Sequence, residues 1–136
     1  MRSVFVDTDY WVATINPRDG LHDKAIGISG QLGSCTLVTS EMVLAEVLNM
    51  FARRGAHLRE MAVKAVDAIM SNPQVYVEPQ TRRLFQKALA LYRQRLDKDW
   101  SITDCASFTI MDQRGIGEAL THDHHFEQKG YTALLR

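Results

Sequence analysis

Short apolar runs and helical apolar stripes take turns along this chain. Val4-Phe5-Val6 ends the run 1–6 as a buried-strand signature that stops abruptly at Asp7. Tyr10, Trp11, Val12, Ala13 and Ile15 predict a brief helix ending near Asn16-Pro17, with the turn Arg18-Asp19-Gly20 after it. A second small helix is expected from His22 to about Ser29, then a loop over Gly30 to Ser34. Cys35-Thr36-Leu37-Val38 reads as the second strand.

Thr39 or Ser40 is placed to cap a well-patterned helix whose face is Val43, Leu44, Val47, Leu48 and Phe51. That helix closes at Arg53-Arg54-Gly55. Ala62, Ala65, Val66 and Ile69 predict another from about Leu58 to Met70, stopped by Asn72-Pro73, and Val75-Tyr76-Val77 reads as the third strand. Leu84, Ala88, Leu91 and Tyr92 then mark an amphipathic helix ending near Asp97. A further helix is expected from about Thr103 to Arg114, broken by Gly115 and Gly117, and Ala119-Leu120-Thr121 is the fourth strand. His124 to Arg136 reads as one helical turn and an extended end. Strands alternating with helices predict right-handed crossovers and an α/β fold, a small parallel sheet with helices on both faces. In such sheets the chemistry lies beyond the carboxyl ends of the strands.

Composition bounds this picture. The 136 residues suit a single domain, 1–136, and 46% hydrophobic with 24% charged residues is the balance of a globular chain with a real core. Disordered, collagen-like and disulfide-stapled classes are excluded. Sixteen Lys and Arg offset 16 Asp and Glu, so a uniformly basic nucleic-acid binder is excluded too. The two cysteines, Cys35 and Cys105, lie in apolar or helical settings and read as reduced core thiols. Asp7 interrupts the place of a signal-peptide core and no apolar run reaches membrane-spanning length, so a cytoplasmic protein without membrane association is expected.

The carboxylates carry the candidate chemistry. Asp7 directly follows the first strand, where it suits either a functional edge or the N-cap of the next helix. Glu46 lies at the margin of an apolar helix face, flanked by Val43 and Met50, and no Lys or Arg occurs from Thr36 to Ala52 to pair with it. Asp104 completes Ser101-Ile102-Thr103-Asp104, a capping-box pattern. Asp123 follows the fourth strand and also suits a cap. Were the four to converge within roughly 5 Å, each like-charge pair would cost about 3 kcal/mol at an effective dielectric near 20. Such a cluster takes up protons or a hard cation, for which Mg²⁺ or Mn²⁺ is the natural choice. Carboxylate-held divalent ions serve phosphoryl chemistry.

The pieces Val4-Phe5-Val6-Asp7-Thr8, Ser40 to Phe51 around Glu46, Ser101 to Phe108, and Ala119 to Phe126 with Gly130-Tyr131 together resemble the PIN domain, a family of small metal-dependent ribonucleases. The resemblance implies a three-layer α/β/α sandwich. It also implies an acidic metal site of Asp7, Glu46, Asp104 and Asp123, with Thr8 and Thr103 supplying nearby hydroxyls. It further implies RNA hydrolysis by a metal-activated water, leaving a 5′-phosphate and a 3′-hydroxyl. Free-standing PIN domains of this size resemble the toxins of VapBC-type toxin–antitoxin pairs, which implies a small antitoxin partner and a homodimer. Asp9 departs from the pattern, since the family often has Ser or another small residue there. It suits either an outer-shell carboxylate or an acid in the first turn of a helix. Asp99 is a similar case.

Other features admit two readings each. His122, His124 and His125 surround Asp123, but the strand pattern does not put all three on one face, which disfavours zinc. His124 or His125 suits a substrate contact. Trp11 reads as core, while Trp100, in a polar loop, is the better base-stacking candidate. Arg53-Arg54, Arg59 and Lys64 form one basic group, and Arg82-Arg83 to Lys98 another; each suits a solvated face or RNA phosphates. Met42, Met50, Met61 and Met70 read mostly as core by spacing, though flexible Met on helix faces also suits a dimer or antitoxin groove. Two other functions compete with the nuclease: a PIN scaffold that binds RNA or protein without cutting, and a DxD-type phosphohydrolase using Asp7 and Asp9. The second is disfavoured by Trp11, by the short chain and by the lack of a suitable Lys.

Overall fold

A computed structural model describes residues 2–136; Met1, the first position of the expected 1–6 strand, lies outside the described residues. The strands are β1 (Arg2–Val6), β2 (Cys35–Ser40), β3 (Val75–Glu78), β4 (Glu118–Leu120) and β5 (Thr132–Ala133). All pairings are parallel and the spatial order is β3-β2-β1-β4-β5. The helices are α1 (Thr8–Ile15), α2 (His22–Gln31), α3 (Glu41–Phe51), α4 (Ala56–Ser71), α5 (Arg82–Gln94), α6 (Ile102–Arg114) and α7 (His124–Gln128). Parallel neighbours need crossovers, and right-handed ones place α1 to α4 on one face and α5 to α7 on the other. This is the expected α/β/α sandwich.

Each boundary has a local cause. The Ser40 hydroxyl accepts the amide of Val43 and starts α3, and Thr81 does the same for α5 through Leu84. Gly115, at φ 65°, closes α6 in the left-handed conformation that a β-carbon would disfavour. Helix α2 runs through Gly27 and Gly30 to Gln31, past the expected stop near Ser29. Helix α5 ends at Gln94, before the expected Asp97.

The fourth-strand reading is short by one strand. The extended end pairs Glu118 with Thr132 and Ala119 with Ala133, adding β5 beside β4. Only two residues form it, too few for an alternating pattern to show in the sequence.

Val4, Phe5 and Val6 of β1 are fully buried, as the central strand of a two-faced sheet must be. Under the α5–α7 layer, Phe108 meets Trp100 and Phe126 edge-on at centroid distances of 5.1 and 5.0 Å. On the opposite side, Trp11 Nε1 donates to Thr39 Oγ1 at 3.2 Å, and that hydroxyl donates to the Val6 carbonyl at 2.9 Å. This buried chain ties α1 to β2 and to the end of β1. The cysteines are buried and free, as core thiols should be, and burial pushes the Cys105 thiol up to about 11. Leu48, Met50 and Met70, expected as core, are exposed at 38%, 48% and 58%: each sits beyond the stripe its helix buries. No helix is long and apolar enough to cross a membrane among the described residues.

Candidate active site

The chain runs from β1 outward through β2 to β3, then returns to β4 on the other side of β1. The strand order therefore reverses between β1 and β4, which opens a crevice at their carboxyl ends. Asp7 follows β1, and Thr121 to Asp123 follow β4, so both segments deliver acids to that crevice. The cleft there measures about 330 Å³ and is lined by Asp7, Thr8, Asp9, Val12, Asp19, Leu21, Glu46, Met50, Asp99, Ser101, Asp104, Asp123 and His125. Oxygen ligands dominate, and neither Lys nor Arg lines it.

Asp7, only 6% exposed, is the N-cap residue of α1, yet its side chain makes no capping bond to the helix. Its Oδ2 accepts the Thr121 hydroxyl at 2.8 Å. Burial, and then the neighbouring Asp9, hold the Asp7 carboxyl well above the usual carboxylate range. Asp9, in the first turn of α1, accepts the backbone amide of His122 at 2.8 Å and lies 3.4 Å from the Thr121 hydroxyl. Its carboxyl is also raised, chiefly by burial. The Thr121 hydroxyl accepts the amide of Asp123 at 3.1 Å, so one side chain fixes three acids of the cleft.

Asp104 is both a cap and a cleft acid. Ser101 Oγ accepts the Asp104 amide and Asp104 Oδ2 accepts the Ser101 amide, each at 3.0 Å, completing the capping box. Burial and then Asp123 raise its carboxyl, against the opposing pull of the Ser101 amide and His125. His125 Nδ1 lies 3.0 Å from Asp104 Oδ2 and 3.3 Å from Asp123 Oδ1. Asp123 caps α7 by accepting the amide of His125 at 2.9 Å. Glu46 reaches the cleft from α3, opposite the strand ends.

Acidic and hydroxyl side chains gathered in one cleft without a Lys or Arg suit a positively charged occupant. Thr8 Oγ1 and Asp9 Oδ1, on two residues of this cleft, are buried without a hydrogen-bond partner. A donor set dominated by oxygen and without sulfur fits a divalent hard cation rather than a thiophilic metal. Asp123, His124 and His125 also bring one ligand atom each within 4.8 Å of one another. They are consecutive residues on one turn, and among the described residues no further His or Cys joins them, which is not the enclosed tetrahedral set of a zinc site.

A PIN domain family model matches residues 4–130. The chain belongs to the PIN domain family. Nucleases of this family work with divalent cations, in agreement with the donor set of the cleft. Over 131 residues this PIN domain is 30% identical to the 23S rRNA-specific endonuclease VapC20 of Mycobacterium tuberculosis, covering 96% of this chain and 97% of that one. The crystal structure of VapC20, described as a sarcin-ricin loop cleaving toxin, superposes with a TM-score of 0.85 at 29% identity, covering 95% of this chain and 96% of the other. VapBC2 of Rickettsia felis, solved bound to a DNA fragment from its promoter, gives a TM-score of 0.66 at 13% identity over 96% of each chain, a likeness of fold alone.

The PIN fold brings Asp7, Thr8, Glu46, Asp104 and Asp123 into one cleft. It does not do so for every residue singled out. Trp100 is a correction: it is 4% exposed, its Nε1 donates to Gln128 Oε1 at 2.9 Å, and its ring packs on Phe108, so no face is free to stack on a base. Thr103 and His124 do not line the cleft; His124 is exposed and stacks on His125 at 4.5 Å. Arg53 and Arg54 lie outside it as well. Arg54 lines a neighbouring cleft of about 440 Å³ with Asn16, Pro17, Arg18, His57, Leu58 and Met61. Asp9, Asp99 and His125 do line the acidic cleft. The signals for Asp9 and His125 were their neighbours in sequence: each sits two residues after a candidate acid.

Proposed function

We propose that this PIN domain is an endoribonuclease dependent on Mg²⁺ or Mn²⁺, spanning 1–136 as one unit, and the toxin of a toxin–antitoxin pair. The observation that carries the reading is the meeting of Asp7, Asp104, Asp123 and Glu46 in one oxygen-lined cleft at the strand-order reversal, with two buried acceptor oxygens left unsatisfied. Asp7, Asp104 and Asp123 would hold the cation, and Glu46 would hold it or a water beside it. When bound, the cation supplies charge neutralisation at the phosphate and acidifies the attacking water. His125, by gripping Asp104 and Asp123, keeps two of the ligands in one orientation.

RNA is the substrate class that the family supports, and the 23S rRNA specificity of VapC20 makes ribosomal RNA the first target to test. Backbone binding has a place beside the acids. Arg18, which immediately precedes Asp19 of the acidic cleft, lines a second cleft with Arg54 and His57. Neither arginine forms an ion pair among the described residues. They would hold phosphates flanking the scissile one. An antitoxin and a second copy of this chain are the partners that a toxin of this kind would have, and the cytoplasm its compartment.

The deciding experiment is cleavage of purified ribosomal RNA with Mg²⁺, Mn²⁺ or EDTA. Cleavage is expected with either ion, none in EDTA, and none with Asp7→Asn or Asp104→Asn while circular dichroism stays unchanged. Full activity in both variants would sink the assignment. Purification from the native host would show a small co-purifying inhibitor if the toxin role holds.

A further inference from the structure

The second cleft joins two arginines to an apolar wall. It measures about 440 Å³, within the usual range of small-ligand clefts, about 300–1,000 Å³, and Pro17, His57, Leu58 and Met61 line it beside Arg18 and Arg54. No carboxylate lines it. The acid next to Arg18 in sequence is engaged elsewhere: Asp19 Oδ1 accepts the Leu21 amide at 2.9 Å, and the residue lines the acidic cleft. Both arginines are held at their base. Asn16 Oδ1 accepts the Arg18 amide at 3.1 Å, and the Arg54 guanidinium lies 5.6 Å from the ring of the buried Phe51.

This lining selects among ligands. An apolar peptide would leave both guanidiniums without an anion, and a bare phosphate would leave Pro17, Leu58 and Met61 uncovered. A nucleotide carries both halves in one small unit. Arginine forks bind its phosphate, and imidazole and apolar surfaces take the face of its base. The base must be unpaired, because a base stacked in a duplex does not offer its faces. The location suits this ligand as well. Arg18 of this cleft and Asp19 of the acidic one are consecutive, with Cα atoms about 3.8 Å apart, so the turn after α1 contributes to both.

We propose that the cleft of Pro17, Arg18, Arg54, His57, Leu58 and Met61 is a nucleotide-binding subsite, which takes one unpaired base against its apolar wall and the attached phosphate on its two arginines. The subsite rests on reading the chain as a ribonuclease only for its purpose, selection of an RNA with an unstacked nucleotide beside the cut. Its binding is tested apart from cleavage.

Binding is measured on the whole chain by calorimetry in EDTA, which keeps divalent ions from bridging a phosphate to the acidic cleft. The probes are the four 5′-mononucleotides, their nucleosides and inorganic phosphate. At least one mononucleotide is expected to bind at least tenfold more tightly than its nucleoside and than phosphate, since it alone covers both halves of the cleft. His57→Ala, at an exposed position, is expected to weaken that mononucleotide at least threefold and leave phosphate unchanged. The double variant Arg18→Ala, Arg54→Ala is expected to lose both. Mononucleotides that bind no more tightly than phosphate overturn the subsite, as does unchanged mononucleotide affinity in either folded variant. A chain that binds as expected yet cuts no RNA with Mg²⁺ or Mn²⁺ keeps the subsite and loses the ribonuclease reading. One that cuts RNA and binds no mononucleotide loses the subsite alone.

Discussion

Thr121 donates its hydroxyl to Asp7 Oδ2 at 2.8 Å, joining the ends of β1 and β4 across the floor of the cleft. The same oxygen accepts the amide of Asp123 at 3.1 Å. It therefore positions two proposed cation ligands without facing the cation itself. Thr121→Val keeps the shape but leaves Asp7 and the Asp123 amide without their partner. Partners of metal ligands are typically worth about 10–100-fold in metal affinity or activity. A loss of that size is expected in Mn²⁺ affinity by calorimetry, with Thr121→Ser restoring most of it. Equal affinity in the Val variant and the wild type would mean that the hydroxyl only fills space.

Asp7→Asn should separate activity from stability. An amide cannot supply the charge that a cation needs, so cleavage falls to the level of the EDTA control. Burial and Asp9 both disfavour the ionised Asp7, however, so removing that charge relieves the metal-free fold. A gain of about 0.5–2 kcal/mol in urea unfolding at neutral pH is expected, the usual return for removing one unfavourable site feature. A destabilised, metal-free Asp7→Asn would show that the carboxylate is structural.

The pH dependence follows from the same acids. Asp7, Asp9 and Asp104 all have raised carboxyls in the folded chain, mainly through burial. The metal-free folded state then binds more protons than the unfolded one. The contribution of these three groups to stability is fully present below the ordinary carboxylate range and is lost as pH rises through the raised values. A bound cation replaces those protons and reverses the trend, because its ligands must be ionised. Thermal unfolding from pH 4 to pH 8 should show melting temperature falling in EDTA and rising in Mn²⁺. Parallel curves in the two conditions would remove the linkage.

The fold and the four acids were legible because their signals are local. Val4-Phe5-Val6 ending at Asp7 is a buried strand meeting a charge, and Ser101 to Asp104 carries its capping box in four consecutive residues. The reading of Asp104 as either cap or site proved a false choice, since its Oδ2 serves the Ser101 amide while the side chain lines the cleft. What stayed hidden was non-local. The partners of Asp9, Thr121 and His122, lie 112 and 113 positions away. Trp100 looked exposed because its sequence neighbours are polar, yet the aromatic surface that buries it comes from Phe108 and the α7 region. β5 exists only because β4 offers it an edge.

The arginines beside the cleft carry a different kind of prediction. If Arg18 and Arg54 hold flanking phosphates, Arg18→Ala and Arg54→Ala should raise KM on RNA with little change in kcat. Each should also lower the slope of log affinity against log salt by about 1. Lys substitution should recover most of the binding, because the contact is with charge. An unchanged salt slope in the double variant would place the RNA on another face.

Trp100 decides between its two readings by stability. A stacking residue can be truncated with loss of RNA affinity and little effect on folding. A buried one cannot: Trp→Ala in a core costs about 3–5 kcal/mol. With 4% exposure, an edge-on contact to Phe108 and a hydrogen bond to Gln128, Trp100 should behave as the second kind. Ser101, the next residue, caps α6 and thereby holds Asp104, so the Ala variant should also bind Mn²⁺ less tightly. Trp100→Phe preserves most of the buried surface and loses only the Gln128 bond. It should lose about 1 kcal/mol and keep RNA affinity and cleavage near wild type. A Phe variant as stable as the wild type but with weakened RNA binding would return Trp100 to the substrate.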